Sequence, residues 1–207
     1  MPEDNFDNIV KNMAHMLSTA RRCLDERQIM PCLTLLYAGM DVMASLEAAP
    51  GEKVNVSFKR WVETYLLPLT DWKCSAVDLY GARCAVVHTF TPDSDLSRRG
   101  DAKVVYYAHS GGDTAKLEEV NNDFNRNAEC LDVGDMIPRF YDAILKYMVE
   151  VAGDPVRKTA VEAKAGLWFC DTRAGLIDEY LAAKAAHEAA IASAEKPSSA
   201  AYERSSS

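Results

Sequence analysis

The chain has 207 residues, 48% of them hydrophobic and 26% charged, with a formal net charge of −8. That length bounds it to one domain, or one domain with an extra piece, and supplies enough apolar residues for a sizeable core. The acidic balance excludes bulk, nonspecific nucleic-acid binding, which needs a basic surface, but leaves room for a local basic site.

The start, MPEDNFDN, is acidic and polar, unlike a signal or transit peptide. No run reads as long enough for a membrane span, so the expected location is the cytoplasm, with no membrane partner. From Asp4 to Arg27, Ile9, Met13, Met16, Leu17, Ala20 and Leu24 recur at helical spacing and predict an amphipathic helix. Pro31 suits the first turn of a second helix, reaching about Ala48. Its apolar stripe runs through Cys32, Leu35, Leu36, Met40, Met43 and Leu46, while Tyr37, Asp41 and Ser45 share another face. An aspartate there is ordinarily solvated. It gains interest only if it faces a later arginine.

Ala-Ala-Pro-Gly at 48–51 breaks the chain, and Ser57 is the expected cap of a third helix carrying Phe58, Trp61, Tyr65 and Leu66. Pro68 and Thr70-Asp71 end it. A fourth helix, 75–91, starts at Ser75 with Asp78 three residues on, a capping-box pattern, and stops before Pro92. A polar link, DSDLSRRGD, leads to KVVYYAH, which reads as a strand. Ser110-Gly-Gly-Asp113 reads as a turn, the charged 114–127 as a short helix or loop, and ECLDV at 129–133 as a returning strand. The expectation is therefore a small β-hairpin within 103–133, packed on the helices. Asp135 is the expected cap of a fifth helix. A sixth covers 155–169, a seventh runs from Asp171 to about Ala194, and the tail from 196 is small, polar and expected to be disordered. The fold class is thus mainly all-α: a bundle over 1–152 and a helical extension over 153–195.

The six cysteines, at 23, 32, 74, 84, 130 and 170, form no CxxC and no zinc-like spacing with histidine. Buried reduced thiols are the expected state, with no metal and no cofactor. A metal or redox enzyme built on them is a third, weaker alternative.

The fourth helix is the informative stretch. It is apolar or small nearly all round, through Val77, Leu79, Ala82, Cys84, Ala85, Val86, Val87 and Phe90, yet carries Arg83 and His88. Such a helix is buried on most sides, so the two polar groups stand in conflict with it. Histidine can give or take a proton near neutrality, and arginine forks onto phosphate oxygens. Five residues along an ideal helix turn the side chains about 140° apart, so one Arg83 and one His88 do not face the same spot without long reach. Two helices meeting across a twofold axis ease this, and a homodimer through 75–91 is expected. A structural alternative stands beside catalysis: Arg83 in a buried ion pair with Asp41 or Asp78, and His88 capping its own helix end with Thr89, Thr91 or Ser94 as partners. Tyr80, Cys84 and Thr89 are supporting candidates on the same helix. Arg98 and Arg99 form a small basic spot after the same helix, able to touch phosphates, though a solvated loop is the commoner outcome for such a pair.

Arg83-Cys-Ala-Val-Val-His88, late in a helix of an all-α bundle, resembles the Arg-x4-His motif of the HEPN superfamily. The resemblance covers roughly 1–150. It implies a homodimeric helical bundle and, as in several members, a metal-independent endoribonuclease of toxin–antitoxin or anti-phage defence systems. Arg83 and His88 would then be catalytic, RNA the substrate, and an antitoxin or defence protein a partner. Cys84 departs from the polar residue that often follows the arginine in active members. The alternative function is a non-catalytic dimeric module that binds a partner protein, a nucleotide or RNA.

Overall fold

A computed structural model describes residues 5–124, 126–168 and 174–194. The expected disordered tail lies outside the described residues. Among the described residues the chain is mostly helical, with one small two-stranded sheet. It divides into two compact units, Met1–Phe169 and Cys170–Ser207.

The first unit is built on α1 (Asn5–Asp25), α2 (Ile29–Glu47) and α7 (Val133–Ala152), with α8 (Pro155–Trp168) packed against all three. Gly39 of α2 permits the closest approach. A Cβ there would lie 2.2 Å from Met16 Cε and 2.8 Å from Phe140 Cε1, so α1 and α7 press on bare backbone. By length and composition α2 is apolar enough to cross a membrane, contrary to the sequence reading. Its packing accounts for that apolarity: Cys32, Leu33, Leu36, Tyr37, Met40, Met43 and Leu46 are buried in the core. α3 (Val54–Trp61) continues through a π-helical turn, Val62–Leu66, and a 3-10 turn, Leu67–Leu69. Ser57 does not cap α3. It is buried inside the helix, and its hydroxyl donates to the Val54 carbonyl at 3.1 Å. Trp61 sits edge-on against Phe140 and Tyr147, which anchors α3 to α7.

α4 (Ala76–Thr89) packs against α2 and α3, then against the short α5 (Asp95–Arg98) and strand β1 (Val104–Ala108). α6 (Thr114–Asp123) follows, then β2 (Ala128–Asp132). The two strands are parallel, with Val104 opposite Ala128 and Ala108 opposite Asp132, so the expected hairpin is corrected to a β-α-β unit. The reason lies in the connection. Parallel strands need a long crossover, normally a helix, and Asp113 nucleates one by accepting from Ala115 N at 2.9 Å. The glycines after Ser110 turn the chain into α6 rather than back along β1. The cap of α7 is also displaced: Asp132, not Asp135, accepts the helix-start amide, that of Asp135 itself, at 3.0 Å. In the second unit, α9 (Ala174–Ala194) exposes its described side chains from Asp178 to Ile191.

Candidate functional site

α4 begins as its sequence predicts. The Ser75 hydroxyl accepts from Asp78 N at 3.2 Å, and Asp78 Oδ2 accepts from Ser75 N at 2.8 Å. Asp78 Oδ1 accepts from Lys103 N at 2.6 Å, which ties the start of β1 to the head of α4. Asp78 is 5% exposed and fully occupied by these bonds. It is a structural carboxylate, not the partner of Arg83.

Asp41 is that partner. Its Oδ2 accepts from Arg83 Nε and Nη2, each at 2.6 Å, and the two side chains are only 15% (Arg83) and 19% (Asp41) exposed. The face read as solvated on α2 therefore points inward at α4. Tyr37, one turn earlier on that face, is buried with its hydroxyl 2.7 Å from that of Tyr107. Asp41 Oδ1 is buried without a hydrogen-bond partner. Burial pushes the Asp41 carboxyl above its ordinary value, against the downward pull of Arg83 and His88. Burial also works against the Arg83 charge, but Asp41 and the neighbouring Cys84 outweigh it and leave the guanidinium above its usual value.

The remaining arm of Arg83 reaches His88 in the same chain: Nη1 lies 2.9 Å from Nε2. A guanidinium only donates, so Nε2 is the acceptor of this contact. One copy brings the two together by the long reach that helix geometry left open beside a dimer. Five residues rise only about 7.5 Å along the helix, within an arginine's reach. The result is a relay, Asp41–Arg83–His88, with a half-buried base and an exposed imidazole tip.

That tip opens on a hollow of about 350 Å³. One wall is the last three turns of α4: Tyr80, Cys84, His88 and Thr89. The other is the 93–99 segment, including Arg98 and Arg99. Gly81 lets the second wall dock, because a Cβ there would stand 3.2 Å from Ala102 Cβ and 3.3 Å from Ser94 Oγ. Ser94 and Ser97 form a capping box that starts α5, so the polar link carries a helical turn. Arg98 pairs with Asp95 and Arg99 with Asp101, all four well exposed. Such pairs are weak, and an arriving phosphate can compete for both guanidinium groups.

Tyr80 packs on Phe58 of the core with ring centroids 5.5 Å apart, which fixes the hollow's floor. Burial, then the adjacent Cys84 thiol, raises the Tyr80 hydroxyl above its ordinary value, so it stays protonated and can donate. Thr89 is turned back on its helix, donating to the Ala85 carbonyl at 2.8 Å. Thus Tyr80, Cys84, His88, Thr89, Arg98 and Arg99 meet around one hollow, with Arg83 and Asp41 behind His88. Asp78 stands apart. Among the described residues, no group of three or more His, Cys, Asp or Glu is placed to hold a metal ion.

A second hollow, about 220 Å³, lies on the other side of the same helix end. Phe90, Pro92, Val105, Tyr106, Tyr107 and His109 line it. Sequence reasoning counted Phe90 among the apolar positions of a buried helix. It is instead 64% exposed and left-handed, with φ 52°, at the helix C-cap. The one signal was its place two residues before Pro92.

The chain matches no protein-family model, and no curated protein or solved structure is significantly similar to it.

Proposed function

We propose that this protein is a HEPN-like, metal-independent endoribonuclease, acting as a homodimer through α4, in a toxin–antitoxin or anti-phage defence setting. The observation that carries the reading is the Asp41–Arg83–His88 relay, whose exposed imidazole end shares a hollow with Arg98 and Arg99. In the proposed reaction a ribose 2′-hydroxyl attacks the adjacent phosphorus. The bond to the 5′ oxygen breaks, leaving a 2′,3′-cyclic phosphate and a 5′-hydroxyl. His88 takes the 2′-hydroxyl proton or supplies one to the leaving oxygen. Arg83, oriented by Asp41, stabilises the crowded phosphate with Nη1 once the substrate draws it from His88. Arg98 and Arg99 hold neighbouring phosphates.

The test is incubation of the purified chain with labelled single-stranded RNA, with and without EDTA. Cleavage unaffected by EDTA, with cyclic-phosphate ends, is expected. His88→Ala should slow it by roughly 100-fold or more, the usual contribution of a positioned acid or base. A wild-type chain that cuts no RNA, or a His88→Ala chain that cuts as well, overturns the reading.

A second reading draws on the same relay. Two of the three Arg83 nitrogens are engaged by Asp41, the commitment expected of a structural ion pair. The module would then bind a partner protein, nucleotide or RNA without chemistry. RNA binding without cleavage, or capture of a neighbour-encoded protein by an RNA-inert chain, would select it.

A further inference from the structure

The geometry points to the apolar hollow beside Phe90 as the seat of one unpaired nucleobase, next to the phosphate held by the His88 hollow. This rests on the proposed RNA-cleaving function for its choice of polymer. Three observations carry it.

The first is the state of Phe90. The position after a helix is commonly filled by glycine or asparagine when the backbone turns left-handed, because a side chain is strained there. Here a phenylalanine adopts φ 52° and holds its ring 64% exposed at the edge of a hollow. Neither packing nor backbone preference accounts for that ring. The second is the lining. Four ring side chains, Phe90, Tyr106, Tyr107 and His109, line it, with Ile29, Met30 and Leu33 as aliphatic surface. Tyr107 is braced from behind by its hydroxyl contact with Tyr37. At about 220 Å³ the space is smaller than the roughly 300–1,000 Å³ of sites for drug-sized ligands, and suits a single ring system.

The third is the continuation beyond the rim. Arg126 stands over the Tyr106 ring at 5.7 Å and over the Phe124 ring at 5.0 Å, and Phe124 is 66% exposed. Exposed aromatic rings interleaved with arginine form the usual surface on which successive bases of a single strand stack. A base is apolar on its faces and tethered to an anion. The hollow of rings and aliphatic side chains fits the first part, and the hollow that carries Arg98 and Arg99, beside Asp93 and Asp95, fits the second.

The experiment uses the full chain and a fluorescein-labelled 2′-O-methyl oligoribonucleotide, which lacks the attacking hydroxyl and stays intact. Anisotropy titrations compare wild type, Phe90→Leu and Phe90→Tyr. Phe90→Leu should weaken binding roughly 5- to 100-fold, the range for one stacked base, while Phe90→Tyr stays within about twofold. A single abasic position at the seated nucleotide should weaken wild type but not weaken Phe90→Leu further. Phe90→Leu within about twofold of wild type would overturn the inference, as would a wild-type chain that binds no single strand. Ring-dependent binding by a chain that cuts no unmodified RNA would keep the base seat and discard the nuclease. Cleavage with KM unchanged in Phe90→Leu would do the reverse.

Discussion

The Asp41–Arg83 pair should respond asymmetrically to the loss of its two members. Arg83 is held above its ordinary value, chiefly by Asp41, so the guanidinium gains from the pair. The Asp41 carboxyl is raised, so burial costs its charged form more than Arg83 and His88 return. Replacing Asp41 by the neutral isostere asparagine leaves Arg83 an acceptor at that position and its contact with His88, so the loss at pH 7 should be about 1 kcal/mol, the value of one net hydrogen bond. Arg83→Met is different, because it strands the carboxylate. Breaking a fully buried pair costs about 3–5 kcal/mol and an exposed one about 0.2–1 kcal/mol. With side chains 15% and 19% exposed, about 2–3 kcal/mol is expected. For a urea m-value of about 2 kcal/mol/M, the midpoint falls by about 1–1.5 M. Urea melts followed by circular dichroism give both numbers. A raised carboxyl makes the folded state bind its proton first, so stability falls as pH rises through the window between the ordinary and the raised value. The Arg83→Met deficit should accordingly shrink on acidification, and Asp41→Asn should lack that slope. Equal losses in the two variants at pH 7, or an Arg83→Met deficit that grows toward acid, would refute the assignment of burial as the dominant effect on Asp41.

Asp78→Ala removes the carboxylate that accepts from Ser75 N, the Ser75 hydroxyl and Lys103 N, and should cost about 2–4 kcal/mol in a thermal or urea melt. A loss under about 1 kcal/mol would mean that the α4 head does not hold β1 in place. Arg98→Ala with Arg99→Ala should leave stability within about 0.5 kcal/mol, since both guanidinium groups sit in exposed pairs. The same double variant should weaken RNA binding and make the fall of log K with log salt shallower, by about 0.7 for each phosphate the protein no longer neutralises. An unchanged slope would remove both residues from the substrate path.

How much of this was legible in the sequence depended on whether a feature is local. The α4 start was readable because Ser75 and Asp78 satisfy each other within one turn, and its stop because Pro92 biases the preceding backbone. Arg83 and His88 stood out as charge on an apolar helix, and the structure brings them into contact. The parallel sheet was not readable, because KVVYYAH and ECLDV look alike in either direction and only the helical connection decides between them. Asp41 stood between two readings, a solvated carboxylate and an ion-pair partner of Arg83, and the structure selects the second: helical spacing groups residues on a face without naming what covers it. The caps expected at Asp135 and Ser57 lie about one turn inside their helices, which start after Asp132 and Lys53. The hollow itself was invisible, because its second wall exists only where Gly81 admits the segment carrying Arg98 and Arg99.

The proximity of Arg83 and His88 changes what a dimer is for. Read along an ideal helix, the two side chains diverge, and a second molecule was the simplest way to reunite them. Within one chain they already touch at 2.9 Å, so geometry no longer asks for a partner. Nor does the apolarity of α4, since Leu79, Ala82, Ala85 and Val86 are covered by the chain's own elements. What still asks for one is proton accounting. Cleavage by the 2′-hydroxyl needs one group to remove a proton and another to supply one, and each chain offers a single exposed imidazole in this hollow. Two copies facing across the α4 ends would place one His88 on each side of the phosphate, each set by its own Asp41 and Arg83. A lone chain would have to move the proton through the same ring, with Arg83 competing for Nε2 between the two steps. The case for twofold assembly therefore shifts from packing to chemistry, and it stands or falls with the cleavage reaction.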